Sequence, residues 1–255
     1  LQKFLVTGIS SGFGKYAHEH LGGWGISRKT SEREIKKIKR KGADVIIHCA
    51  ANSSRCLDRQ SFLSYLNDNV FLTKKMLSIP HRKFIFMSTV DLYPRDQSLH
   101  NENEKIYAGE VAGDYALSKR LSEIMIQKYA ANYVILRATS LLGKYARSGN
   151  LLKMIRERNP VLTLSADSEI NCVTHQDVLG LIRRLIRSNF QGVLNVSASR
   201  NIKFADAAKL IGYNARFGAY RYRVGSVDNR KASRLLPQFK KTSREIISEF
   251  ILMDT

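Results

Sequence analysis

The sequence predicts an α/β fold, a doubly wound and mostly parallel sheet with helices on both faces. Two observations carry that prediction. At the N-terminus an apolar strand runs into a glycine-rich turn and then a helix, Lys3–Gly14 (KFLVTGISSGFG). From there to about residue 138, apolar runs and helical segments alternate, the pattern of βαβ units.

The elements follow in order. Residues 3–8 read as a strand and 12–21 as a helix. Trp24–Ser27 is a short second strand, 30–41 a helix and 44–50 a strand. A long helix over 59–78 is stopped by Pro80. Residues 83–88 form a strand, 115–131 a helix and 133–138 a strand. The short route from the second strand to Asp44 implies one strand–helix unit fewer than a full sheet of this type. After about residue 143 the pattern loosens, with helices expected at 148–158, 176–188, 203–211 and 242–252 and extended segments at 161–165 and 193–196. Residues 94–114 are long, polar and poor in periodicity. A loop of that length is often functional, and it precedes Tyr115 directly, so it is read as a substrate-side loop. The division expected is 1–145 for a nucleotide-binding domain, with later segments returning to it, and 146–255 mainly for a small lobe.

The N-terminal turn is shaped to hold a dinucleotide diphosphate. Gly8 and Gly14 set its span, and the backbone N–H groups of Ser10, Ser11, Gly12 and Phe13 are the expected anion donors, aided by the helix dipole. Tyr115 and Lys119, in Tyr-Ala-Leu-Ser-Lys, stand four apart on a later helix and share a face. A nearby ammonium favours phenolate over phenol, so Tyr115 can exchange a proton near neutral pH. Turn and pair together read as hydride transfer at a C–OH/C=O centre. Alone, each is weak: the pair equally describes an amphipathic residue beside a solvated charge.

Further segments carry a resemblance. Asp44–Ala51 (DVIIHCAA) resembles a strand ending in paired alanines, Ala50 and Ala51, beside a cofactor. Asn69-Val70 resembles the opening of a long helix. Phe84–Tyr93 (FIFMSTVDLY) places Thr89 four residues before Tyr93. Val134–Arg137, Val173–Val178 and Val227–Ala232 resemble later motifs of the same pattern. Together these resemble the extended branch of the short-chain dehydrogenase/reductase family, typified by nucleotide-sugar epimerases, dehydratases and reductases. The resemblance implies a Rossmann-type sheet with a small C-terminal substrate lobe. It implies Thr89, Tyr115 and Lys119 as catalytic residues, and a two-fold dimer through helices 59–78 and 115–131. It also implies a nucleotide-sugar substrate, met by Asp91, Ser140, Arg147, Arg221 and Arg223, with Asn69 supporting the cofactor side. Three departures stand out. Ser11 replaces a glycine in the turn, Ser140 replaces an asparagine after the sixth strand, and Val90 replaces the first acid of the dehydratase pair.

Cofactor choice is read at the end of the second strand. An acid there binds a ribose 2′-OH, whereas arginine accommodates a 2′-phosphate. The strand ends Ser27-Arg28-Lys29 with no acid, so NADP(H) is expected in preference to NAD(H).

Composition agrees with a soluble enzyme. The 255 residues suffice for a substantial core, and 44% are hydrophobic. No apolar run approaches the ~20 residues of a membrane span. The first strand leaves no room for a signal peptide, and cytoplasmic location is expected. Cys49, Cys56 and Cys172 have no metal-ligand spacing, so no metal is expected and free thiols are. The charge is unusual, with 42 Lys and Arg against 22 acids, a net +20. It is read as a solvated face or as attraction for anionic small molecules. No nucleic-acid module is recognisable. The rival reading remains a non-catalytic NADP(H)-binding module of the same fold with a basic RNA- or partner-binding surface.

Overall fold

The computed structural model describes residues 2–53, 62–157, 160–212 and 216–254. Cys56, the first three residues of the expected helix 59–78 and residue 158 lie outside the described residues. Six parallel strands form the central sheet: β1 (Phe4–Thr7), β2 (Trp24–Ile26), β3 (Ala43–His48), β4 (His81–Thr89), β5 (Tyr133–Ala138) and β6 (Gly192–Val196). Their spatial order is β6-β5-β4-β3-β1-β2, with every neighbouring pair parallel. The chain leaves β1 for β2 on one side and returns for β3 on the other. That reversal makes the topological switch point, where ligands bind beyond the strand ends. Only one strand–helix unit lies between β1 and β3, in agreement with the shortened sheet expected from the sequence.

Side-chain alternation explains why the sheet is covered twice. Val45, Ile47, Ile85, Met87, Val134 and Leu136 face one layer, packed by helix α1 (Gly12–Leu21) and the helix His175–Ile186. Ile46, Phe84, Phe86 and Ile135 face the other, packed by helix α2 (Glu32–Lys41) and the helices after β3 and β4. Helix α2 starts where the sequence allows a capping box: Ser31 accepts the Glu34 N–H, and Glu34 returns to the Ser31 N–H. Helix α3 covers 62–77, with a π-helical stretch at Leu66–Phe71. The Tyr/Lys helix runs Asp114–Tyr129.

A second cluster, including Leu151, Met154, Ile170, Phe204, Ile247 and Phe250, gathers the later segments. Residues 161–165, expected to be extended, form no strand beyond a single bridge between Leu164 and Tyr220. The segment 94–114 is anchored more firmly than its sequence predicts. Leu99–His100 pairs with Ser226–Val227, and the buried His100 stacks on Tyr93 at 4.9 Å between ring centroids.

Candidate active site

The glycine turn fits its neighbours closely. A Cβ on Gly8, whose φ is +77°, would lie 2.9 Å from the Ala50 backbone. One on Gly14 would lie 2.5 Å from the Gly8 carbonyl. The turn and the Ala50 strand end are therefore in backbone contact, which leaves a smooth cradle for a diphosphate at the N-terminus of α1. Ser10 and Ser11 are exposed there, and the Ser11 side chain makes no capping bond. Phe13 turns inward to the core.

A buried chain of hydrogen bonds holds this wall. The Thr7 hydroxyl accepts the N–H groups of Cys49 (3.1 Å) and Ala50 (3.0 Å), so its own hydrogen goes to His48 Nδ1 at 2.7 Å. His48 Nε2–H then donates to Thr73 at 2.9 Å, and Thr73 donates to the Asn69 carbonyl at 2.6 Å. Burial, reinforced by the Lys119 charge, pushes the His48 pKa down to about 3, so the neutral tautomer persists. The Asn69 side chain accepts the Asn52 N–H at 2.6 Å and donates to the Asn52 carbonyl at 3.1 Å and to Ser118 at 2.8 Å. Its amide is thus committed to the loop after β3 and to the Tyr/Lys helix.

At the end of β2 the fold supplies what the sequence does not show. The Ser27 hydroxyl accepts the Lys29 N–H at 3.1 Å, and Arg28 pairs with Asp68 of α3 at 3.0 Å. Asp68 also accepts from Asn52 at 3.0 Å. The strand end itself carries no acid, as its sequence shows, but one from a helix 40 residues away stands beside Arg28.

Tyr115 and Lys119 occupy successive turns of one helix face, as their spacing predicts. Lys119 is 2% exposed. Its Nζ donates to the Met87 carbonyl at 2.7 Å and lies 4.5 Å from the Phe86 ring centroid. Burial pulls its pKa down to about 8, opposed by Cys49 and Glu123 and reinforced by Arg147. Thr89 closes β4 and caps the next turn, accepting the Asp91 N–H and donating to Asp91 Oδ2, both at 3.2 Å. The other Asp91 oxygen accepts the Tyr222 hydroxyl at 2.7 Å.

The remaining anchors named from sequence are dispersed. Arg221 pairs with Asp167 at 2.9 Å, and Arg223 pairs with Glu169. In Tyr220-Arg221-Tyr222-Arg223 the two arginines alternate with tyrosines, and both face acids of this chain two residues apart, Asp167 and Glu169. Ser140 is exposed, its N–H on the Asn171 carbonyl at 3.1 Å. Arg147 reaches the Ala51 carbonyl at 3.2 Å and the Ser53 hydroxyl.

Sequence reasoning missed the support beneath the site. Arg137 on β5 holds Glu123 of the Tyr/Lys helix in a two-pronged contact of 2.8 and 3.1 Å. Ser88 donates to Glu123 at 2.6 Å, while Arg137 reaches the Tyr93 hydroxyl at 3.0 Å. Burial works against the Arg137 charge, but the Glu123 and Tyr93 contacts outweigh it and raise the pKa. The network ties the Tyr/Lys helix to the strand that ends in Thr89. Its legible signal was an arginine inside the apolar run Val134–Ala138, with Glu123 one helical turn beyond Lys119.

Comparison with known proteins settles the family. Residues 5–166 match the model of the NAD dependent epimerase/dehydratase family. The chain belongs to this family. No curated protein sequence matches it. Among solved structures it is similar to dTDP-4-dehydrorhamnose reductase (rfbD) from Bacillus anthracis str. Ames in complex with NADP. That match has a TM-score of 0.82 and 19% identity, covering 100% of this chain and 99% of that one. MoeE5 in complex with UDP-glucose and NAD gives 0.80 at 17% identity, over 99% and 98%. UDP-glucuronic acid 4-epimerase from Bacillus cereus, in complex with UDP-glucuronic acid and NAD, gives 0.76 at 18%, over 99% and 100%. At these identities the likeness is one of fold. The family's nicotinamide dinucleotide fits the cradle described above, with Gly8 against Ala50 and Lys119 in the wall beyond. No described helix is long and apolar enough to cross a membrane, and no described cluster of His, Cys, Asp or Glu could hold a metal ion.

Proposed function

We propose that the chain is an NADP(H)-dependent reductase or epimerase acting on a C–OH/C=O centre of a nucleotide-activated sugar. Tyr115 is its proton donor or acceptor. The observation that carries this reading is the buried Lys119 ammonium, on the Tyr115 helix face and against the strand that ends in Thr89. The bound nicotinamide supplies the carbon that gives or takes hydride.

The other roles fall to the protein. With a pKa of about 8, Lys119 is mostly charged at neutral pH, and its field favours the Tyr115 phenolate. Tyr115 then exchanges a proton at the reacting oxygen. Thr89 orients that oxygen by turning its hydroxyl hydrogen away from Asp91, which Tyr222 continues to hold. Val90 occupies the first position of the dehydratase acid pair and is buried, which favours reduction or epimerisation over water elimination. Arg28 serves the 2′-phosphate by exchanging Asp68 for it. The second apolar cluster carries the substrate lobe. Leu63, Phe71, Ile124 and Tyr129 are exposed on α3 and the Tyr/Lys helix, and these faces join two copies in a dimer.

The test is a panel of UDP- and dTDP-linked sugars with wild type and Tyr115→Phe, assayed by NADPH absorbance for reduction and by chromatography of the sugar products for epimerisation, which consumes no net NADPH. The variant is expected to bind NADPH normally and to turn over roughly 10² to 10⁴ more slowly, the usual worth of general acid–base catalysis. Equal turnover by both proteins would refute the role of Tyr115, and a wild type that binds NADPH but turns over no sugar of the panel would favour the binding-module reading.

A further inference from the structure

The crevice at the switch point is crossed by a strap, residues 143–147. At one end the Gly143 carbonyl accepts from Arg156 at 3.2 Å. In the middle the Tyr145 carbonyl accepts the Gly12 N–H at 2.7 Å, and Lys15 lies 4.2 Å from the centroid of the Tyr145 ring. At the far end Arg147 grips the opposite wall through Ala51 and Ser53. The strap therefore spans from the glycine turn after β1 to the loop after β3.

Two features of this crossing concern anions. The Gly12 N–H is one of the donors of the anion cradle, and a carbonyl oxygen, the negative end of a dipole, occupies it. Cations also collect here. Among the described residues Lys15, Lys144 and Arg147 form no ion pair. Among the described residues Arg147 has a neutral carbonyl and a hydroxyl as partners, and its charge acts unfavourably on Lys119 across the crevice. An anion placed between strap and turn would displace the Tyr145 carbonyl from the Gly12 N–H and relieve that repulsion. A guanidinium with neutral partners exchanges them readily for phosphate oxygens, because charge-assisted and bidentate bonds are stronger.

We propose that Arg147 is the diphosphate ligand of the bound dinucleotide, carried to it by the strap as a phosphate oxygen replaces the Tyr145 carbonyl on Gly12. This rests on the cofactor reading above and reassigns Arg147, named from the sequence as a substrate contact, to the dinucleotide.

The same chemistry, a diphosphate, also occurs in a nucleotide-sugar, so the test separates the two sources. ADP-ribose, which carries the dinucleotide's diphosphate without nicotinamide, and UDP are titrated calorimetrically into the full chain, wild type and Arg147→Gln. Arg147 is exposed, and an unchanged unfolding temperature verifies that the variant is folded. The variant is expected to bind ADP-ribose roughly tenfold to a hundredfold more weakly, the worth of hydrogen bonds to a charged group. UDP binding should change less than about twofold, within the ±0.5 kcal/mol usual for a surface substitution. Equal ADP-ribose affinity in both proteins overturns the proposal, as does loss of UDP binding with ADP-ribose retained. A wild type that binds neither ADP-ribose nor its 2′-phosphate, the form that also engages Arg28, overturns the cofactor reading and this inference with it; an indifferent variant overturns this inference alone.

Discussion

Replacing Lys119 by Met is expected to make stability and function move apart, in a way that depends on pH. The folded protein holds the Lys119 pKa at about 8 against an ordinary 10.5, because burial penalises the charged ammonium. Between these values the unfolded chain binds a proton that the folded protein does not, so stability rises with pH across that window. Below pH 8 both states are protonated and the whole penalty is present; above 10.5 both are neutral and it is gone. The difference, 10.5 − 8 = 2.5 units, corresponds to about 3 kcal/mol. Methionine removes that penalty and also the bond to the Met87 carbonyl, a loss of roughly 1–2 kcal/mol at any pH. The variant should therefore be about 1–2 kcal/mol more stable than wild type at pH 7, with the advantage vanishing or reversing by pH 10. It should also lose dinucleotide binding. Urea unfolding of both proteins from pH 6.5 to 10 measures the difference directly. A difference that stays flat across this range would refute the reasoning, since it would mean that Lys119 sits in water-like surroundings.

Glu123→Gln should cost roughly 3–5 kcal/mol in denaturant unfolding, because Arg137 stays charged and buried without its partner; adding Arg137→Met should restore much of that stability. Asp68→Asn should free Arg28 and raise the NADPH-over-NADH preference, whereas Arg28→Asp should shift the ratio of dissociation constants roughly tenfold toward NADH. A wild type without any preference would dismiss Arg28 as the phosphate contact. Light scattering at micromolar concentration should show a dimer, and Phe71→Lys with Ile124→Glu should dissociate it by charging exposed apolar positions. A monomeric wild type would dispose of that interface.

The features legible in the sequence are those set by short-range geometry. The strand–turn–helix of residues 3–21, the shared face of Tyr115 and Lys119 and the shortened sheet all follow from local spacing. An i,i+4 pair faces one way wherever its helix lies, and a span too short for an extra strand–helix unit cannot contain one. Even the one-sided Arg221 and Arg223 follow from alternation. What those side chains touch was decided by the tertiary fold. Asp68 meets Arg28 across 40 residues, Tyr222 meets Asp91 across 131, and Arg147 reaches Ala51 across 96. Each of these contacts joins a loop or helix end to an element brought alongside it by sheet order. Periodicity places a residue on a face, but only the packing of that face against the rest of the chain selects its partner. For that reason the acid beside the cofactor strand and the strap across the glycine turn became visible only in three dimensions.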